Sequence, residues 1–238
     1  MKQTESAPLH LPFQLCLRPD SNPLSICLHE RQISFPLSLP HPVELHVLRH
    51  GETASNARSL VTGSSNVLLT VRGRRQAREA GRKLAGRYDV AFTSTLYRTM
   101  QTLEIALKAG EVRIDSLRRS PWLDERSLGD LEMHPNRPVS QYALGDLSYA
   151  PPGGESYSAV AGKILHFFSD LARWICDERS QKNRKIERVL VCTHMGPMRV
   201  IAGLMFEDTS PALVLGRTFQ PAQVVKFTWK ELARPSFF

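Results

Sequence analysis

The sequence predicts an α/β fold with a mostly parallel central sheet flanked by helices, and three observations carry that prediction. From Val43 onward, short apolar segments of strand composition alternate with segments of helical period. Such alternation builds strand–helix–strand crossovers and hence parallel pairing. Three of the strands also end in polar residues set just before a helix, where open α/β sheets bind their ligands.

The elements follow in order. "VELHVL" from Val43 is a strand, and Thr70 is placed to cap a helix running to about Arg87. "YDVAFTS" is a second strand, and "TLYRTMQTLEIALKAG" is a helix with Gly110 as its stop signal. "VRIDSL" adds a short strand. A Gly- and Pro-rich passage from Gly129 to Gly154 then breaks the rhythm. A long amphipathic helix follows from about Ser156 to Arg179, with Val160, Ile164, Phe167, Phe168, Leu171, Trp174 and Ile175 at helical spacing. That aromatic stripe reads as core. "RVLVCT" is a strand, "PMRVIAGLMF" a helix opened by Pro197, and "QVVKFTW" the last strand.

Residues 1–42 differ from this pattern. They hold seven of the sixteen prolines and no sustained period, so they read as an N-terminal extension to a domain spanning 43–238. Short apolar pieces such as "LSICL" and "ISFPLSL" suit pairing at a sheet edge, where proline is tolerated.

Composition excludes several classes. No apolar run is long enough to span a bilayer, and "LHLPFQLC" lacks the basic flank and cleavage site of a signal peptide, so a cytoplasmic protein without membrane contact is expected. Cys16, Cys27, Cys176 and Cys192 show neither metal-ligand nor redox spacing and read as free thiols. The net charge of +8 comes from dispersed arginines, and "VRGRRQAREAGRKLAGR" reads as a solvated helix face. No nucleic-acid motif accompanies it. The positive field favours small anionic partners.

The chemistry gathers at the three strand ends: "VLRHGE" with Arg49, His50 and Glu52, "FTSTLYRTMQT" with Ser94 and Arg98, and "VLVCTHMG" with Thr193 and His194. Two guanidiniums, two imidazoles and the amide of Asn56 make a site for an anion, and the planar fork of arginine matches phosphate oxygens. Helix N-termini at the same edge add backbone donors. His46 and His166 read as structural, Glu52 as a support of the pocket or a cap of the following helix, and Thr70 as an N-cap.

"LRHGETASN", "LTVRGRRQAREAG", "TSTLYRTMQT", "LDERSLGDLE", "PPGGES" and "CTHMG" resemble, in order and spacing, the blocks of the histidine phosphatase superfamily, phosphoglycerate-mutase-like branch. The likeness covers roughly Val43 to Trp229. It implies a three-layer fold and a reaction through phosphohistidine, with no cofactor and no metal. By this resemblance His50 takes the nucleophile's position, and Arg49, Asn56, Arg98 and His194 take those of the phosphate contacts. Glu125 takes the place of the proton donor, with Asp124, Asp130 and Glu132 as its competitors. Two departures stand out: Met195 where many relatives have glycine, and "SSNVLLT" without the usual acidic and proline residues.

The mutases of this branch carry a long insertion where Gly129 to Pro152 is short here, and a small cover excludes water less well. A phosphatase acting on a small phosphorylated metabolite is therefore expected. Its alternatives are mutase-type phosphoryl transfer and a non-catalytic phosphate-binding module. The expected partner is a small-molecule phosphate ester. Arg126, His134, Arg137, Tyr142 and Tyr149 are candidates for the rim above the phosphate.

Overall fold

In a computed structural model, residues 25–28, 31–233 and 235 are described. The first segments are β1 (Ser25–Leu28) and β2 (Arg31–Ser34), an antiparallel pair, followed by β3 (Leu37–Arg49). Then come α1 (Ala54–Ala57), α2 (Val71–Lys83), β4 (Arg87–Tyr88), β5 (Val90–Thr93), α3 (Tyr97–Ala109), β6 (Arg113–Ile114) and β7 (Leu117–Arg119). The second half adds α4 (Ser140–Ala143), α5 (Tyr157–Lys182), β8 (Arg188–Thr193), α6 (Met195–Met205), α7 (Pro211–Gly216) and β9 (Val224–Leu232).

The central sheet has the order β7-β5-β8-β3-β9. Its first four strands are parallel and β9 joins antiparallel at the edge, giving the mostly parallel sheet that strand–helix alternation predicts. The order brings the carboxyl ends of β5, β8 and β3 side by side. His50 N donates to Thr193 O at 3.0 Å, and Ser94 N donates to Cys192 O at 3.2 Å.

Alternation along the strands sorts side chains to two cores. Val47, Val90, Val189 and Val191 face α5 and α6, whereas Leu48, Ala91, Leu190 and Cys192 face α2 and α3. The stripe of α5 supplies the first core, with Phe168 set edge-on to Trp229 at 4.9 Å. Trp174 is the exception: it is half-buried and carries the Arg118 guanidinium over its ring at 4.5 Å.

Several boundaries differ from the sequence reading. The strand expected from Val43 begins at Leu37, and Ile33, Phe35 and Leu39 are buried in the same core. Pairing with β9 shifts register between Ser38 and Val43, and Pro40 and Pro42 fall in that interruption, where a missing N–H breaks no rung. The helix capped by Thr70 stops at Lys83, because Leu84 turns extended and is buried among α2 and α3 residues. "YDVAFTS" and "VRIDSL" each divide, and β4 pairs with β6 outside the main sheet. The helix α6 begins at Met195, two residues before Pro197, and α7 is additional.

Cys176 and Cys192 are free, and burial pushes the Cys192 thiol up, away from reactivity. Cys16 and the "LHLPFQLC" segment lie outside the described residues. Among the described residues no helix is long and apolar enough to cross a membrane.

Candidate active site

The turn after β3 delivers His50 into a cavity of about 310 Å³ lined also by Arg49, Asn56, Arg98, Glu125 and Met195. His50 is only 3% exposed. Its Nδ1 lies 2.7 Å from Gly51 O, and a carbonyl can only accept, so Nδ1 carries the proton and Nε2 keeps its lone pair. Burial, and then the charges of Arg98 and Arg49, hold the ring well below the usual histidine range. The imidazole is therefore neutral, with one tautomer selected. Gly51 permits the approach: a Cβ there would lie 2.5 Å from Gly73 O, at the start of α2.

The two guanidiniums are held by different segments of backbone. Arg98, fully buried in α3, donates through Nη1 to Ser65 O at 2.8 Å and through Nη2 to Gly63 O at 2.7 Å. Burial lowers it to about 10, so it stays charged at neutral pH. Arg49 donates through Nη1 to Phe219 O, while its buried Nε has no hydrogen-bond partner among the described residues. Asn56 accepts from Thr53 N through Oδ1 and thereby caps α1, which leaves its NH₂ group as the donor it can offer the cavity.

His194, expected at the phosphate, lies beside His50 and is bonded within the protein. It is fully buried at the end of β8, its ring centroid 5.2 Å from that of His50, and it does not line the cavity. Both nitrogens are engaged within the protein: Nδ1 accepts from Arg98 Nε at 3.1 Å, and Nε2 lies 2.7 Å from Ser94 Oγ. In this geometry it holds Arg98 in place. Burial and the Arg98 charge keep it neutral too.

Of the four acidic candidates, Glu125 is the one that shares the cavity with His50. Its Oε1 accepts from Gly196 N at 3.1 Å and Arg126 N at 3.0 Å. Asp124 accepts from Thr95 N and Oγ1 before α3. Glu132 accepts from the N–H and hydroxyl groups of Ser64 and Ser65, and these and Leu128 N hold its carboxyl below the usual range despite burial. Asp130 lines a neighbouring chamber. Two negative charges are thus committed to loop structure.

The remaining residues take their expected or neighbouring places. Glu52 accepts from Thr70 Oγ1 at 2.9 Å, outside the cavity, while Thr70 Oγ1 accepts from Gly73 N as an N-cap. His46 is buried against Tyr88, 2.6 Å from its hydroxyl, and His166 stacks on Trp122 at 4.8 Å. Of the rim candidates, Arg126 lines the cavity itself; His134, Arg137 and Tyr142 line the neighbouring chamber, and Tyr149 packs edge-on against Tyr142. Sequence reasoning missed Tyr157 and Arg199, which also line the cavity. Among the described residues no group of three or more His, Cys, Asp or Glu side chains is disposed to hold a metal ion.

Comparison with known proteins places the chain in a family. The family model for the histidine phosphatase superfamily, branch 1, matches residues 45–234. A 2,3-bisphosphoglycerate-dependent phosphoglycerate mutase of Nitrobacter winogradskyi is 32% identical over 185 residues, covering 73% of this chain and 85% of the relative. Among solved structures, a mycobacterial glucosyl-3-phosphoglycerate phosphatase superposes with a TM-score of 0.64 at 22% identity, covering 79% of this chain and 91% of the other. A phosphoserine phosphatase mutant from Entamoeba histolytica gives 0.61 at 20% identity, with 77% and 89% covered. At those identities the two structures speak for the fold.

Proposed function

The chain belongs to the histidine phosphatase superfamily, branch 1, and from that premise we propose that it is a metal-independent phosphomonoesterase acting on a small-molecule phosphate ester through a phosphohistidine at His50. The observation that carries this reading is the Nδ1–H to Gly51 O bond, which leaves a neutral Nε2 lone pair in a cavity with two guanidiniums.

In the first step Nε2 of His50 attacks phosphorus in line as the P–O bond to the leaving group breaks. Arg49, Arg98 and the Asn56 amide offset charge on the equatorial oxygens, the work a metal ion does in other phosphatases. Glu125, held by two backbone N–H groups, gives its proton to the leaving oxygen. Water then attacks the phosphohistidine, Glu125 takes the water's proton, and inorganic phosphate leaves with His50 restored. The free thiols Cys176 and Cys192 support a reducing, cytoplasmic setting.

Mutase-type transfer is the second reading, favoured by the name of the 32% identical relative. The short Gly129–Pro152 cover supports hydrolysis instead, because transfer needs water kept out between the two half-reactions. Turnover of a chromogenic ester in excess chelator, together with product analysis on phosphoglycerates, separates them. Inorganic phosphate is the expected product. Rapid quench with labelled ester should leave acid-labile, base-stable phosphate on the wild type and none on His50→Ala. Label on His50→Ala would refute the nucleophile, and phosphate binding without turnover across an ester panel would favour a binding module.

A further inference from the structure

A second chamber of about 650 Å³ adjoins the catalytic cavity, and the two share Val61, Arg126, Leu128, Asn136, Tyr157 and Arg199. Its volume lies in the range of roughly 300–1,000 Å³ that takes drug-sized ligands, far more than a three-carbon acid fills. Much of the remaining wall is apolar, with Leu131, Pro135, Pro138 and Val139. Burial of an apolar group there is favourable in proportion to the area removed from water.

The two arginines of the shared wall are held without a salt bridge among the described residues, although Asp130 also lines the chamber. Arg126, 6% exposed, lies against the rings of Tyr157 at 4.4 Å and Tyr142 at 4.9 Å and donates to the Tyr142 hydroxyl. Arg199 donates to Tyr157 Oη at 2.7 Å and to Arg217 O at 2.7 Å. Tyrosine hydroxyls and carbonyls orient these guanidiniums without cancelling their charge, and neither forms a salt bridge among the described residues. An unpaired cation beside an already cationic phosphate site costs stability unless a ligand brings its own negative charge.

We propose that this chamber is the leaving-group site, and that it takes a phosphomonoester whose leaving group is bulky, mostly apolar and bears a second anionic group held by Arg126 and Arg199. The proposal rests on the phosphomonoesterase reading above. The phosphoryl group sits at His50, the second anion meets Arg126 and Arg199 where the two spaces join, and the apolar body runs on over Tyr142 and the proline-rich wall. Selectivity then resides in the leaving group, since the phosphate contacts are common to every ester.

Binding to His50→Ala, measured by calorimetry, tests this without turnover. The probes are ethyl phosphate, 6-phenylhexyl phosphate and the analogue of the latter that carries a carboxylate on the carbon next to the ester CH₂. The phenylhexyl body should tighten Kd at least about tenfold over ethyl, and the carboxylate should tighten it about tenfold again. Arg199→Gln and, independently, Arg126→Gln in the same background should lose most of the carboxylate increment and keep the phenylhexyl increment. Equal Kd for all three esters overturns the chamber assignment, and a carboxylate increment that survives both substitutions overturns the guanidinium pair. These outcomes stand apart from catalysis: wild-type protein that binds the large ester tightly but never hydrolyses it sinks the phosphatase reading alone.

Discussion

Arg98 Nε donates to Nδ1 of His194 at 3.1 Å, a bond that requires the histidine to be neutral and to carry its proton on Nε2. That proton goes to Ser94 Oγ at 2.7 Å, Ser94 donates in turn to Thr99 Oγ1 at 2.8 Å, and Thr99 to Leu96 O at 2.7 Å. The chain of donors ends on backbone. Two strand ends and the first turn of α3 are thereby tied to one guanidinium.

His194 is on this geometry a positioning residue. His194→Ala should lower kcat/KM by roughly tenfold to a hundredfold, the range for losing a buried bond to a charged group. Ser94→Ala should reproduce part of the loss, because it removes the acceptor that selects the tautomer. The discriminating readout is inorganic phosphate affinity of the free enzyme: it should weaken in both variants. Unchanged phosphate affinity in His194→Ala would show that Arg98 needs no such support.

A second expectation concerns Gly196. A Cβ added there would stand 2.4 Å from Glu125 Oε1, at the backbone N–H that orients the carboxylate. Gly196→Ala should therefore displace the proton donor while leaving His50 in place. Hydrolysis of an alkyl ester should fall about a hundredfold, as in Glu125→Gln, and that of an activated aryl ester much less, since its leaving oxygen needs little protonation. Equal losses on both esters would remove Glu125 from the role and return Asp130, which lines the adjoining chamber, to consideration.

The third concerns protonation at the nucleophile. Burial and two neighbouring guanidiniums depress His50, so its ring should remain neutral well below pH 6.5. Nitrogen-15 NMR of the imidazoles should show His50 as the Nδ1–H tautomer at pH 7.5, with no change of shift down to pH 5.5. A midpoint near 6.5 would mean that the ring is solvated and that the Gly51 bond does not persist.

The strand ends were legible because each puts its polar residue directly after an apolar run, so Arg49, His50, Ser94 and His194 announce themselves locally. Thr70 was legible as a cap for the same reason, and it accepts from the third residue of its helix. Arg199 and Tyr157 were not. One lies within an apolar helix and the other at the first position of α5, and their pairing spans 42 residues, visible only once α5 and α6 pack together. The start of β3 was hidden by Pro40 and Pro42, whose cost disappears at the register shift beside the edge strand. The bonds of His194 to Arg98 and Ser94 were not legible, because sequence places it at a strand end but says nothing of what its nitrogens meet.

The last expectation is a loss of stability in weak acid that originates in histidines. His46, His50 and His194 are all buried, and all are depressed, His46 to about 4, with burial the largest cause in each. Unfolded, each takes up a proton as pH falls through about 6.5, while the folded rings stay neutral. The unfolded state then binds more protons than the native one, so unfolding free energy rises with pH in that window and is lost as pH drops below it. Each such histidine contributes at most about 1.4 kcal/mol per pH unit. The carboxyl groups that gain partners in the fold, such as Glu132, add the same sign of slope only at lower pH, around and below their unfolded values. Denaturant melts at pH 7.0, 6.0 and 5.0 should therefore show a falling midpoint across all three, and His46→Gln should flatten the slope. A midpoint that holds constant from pH 6.5 to 5.0 would show that the three rings take up protons in the native state as readily as in the unfolded chain, and that the neutral site is not maintained.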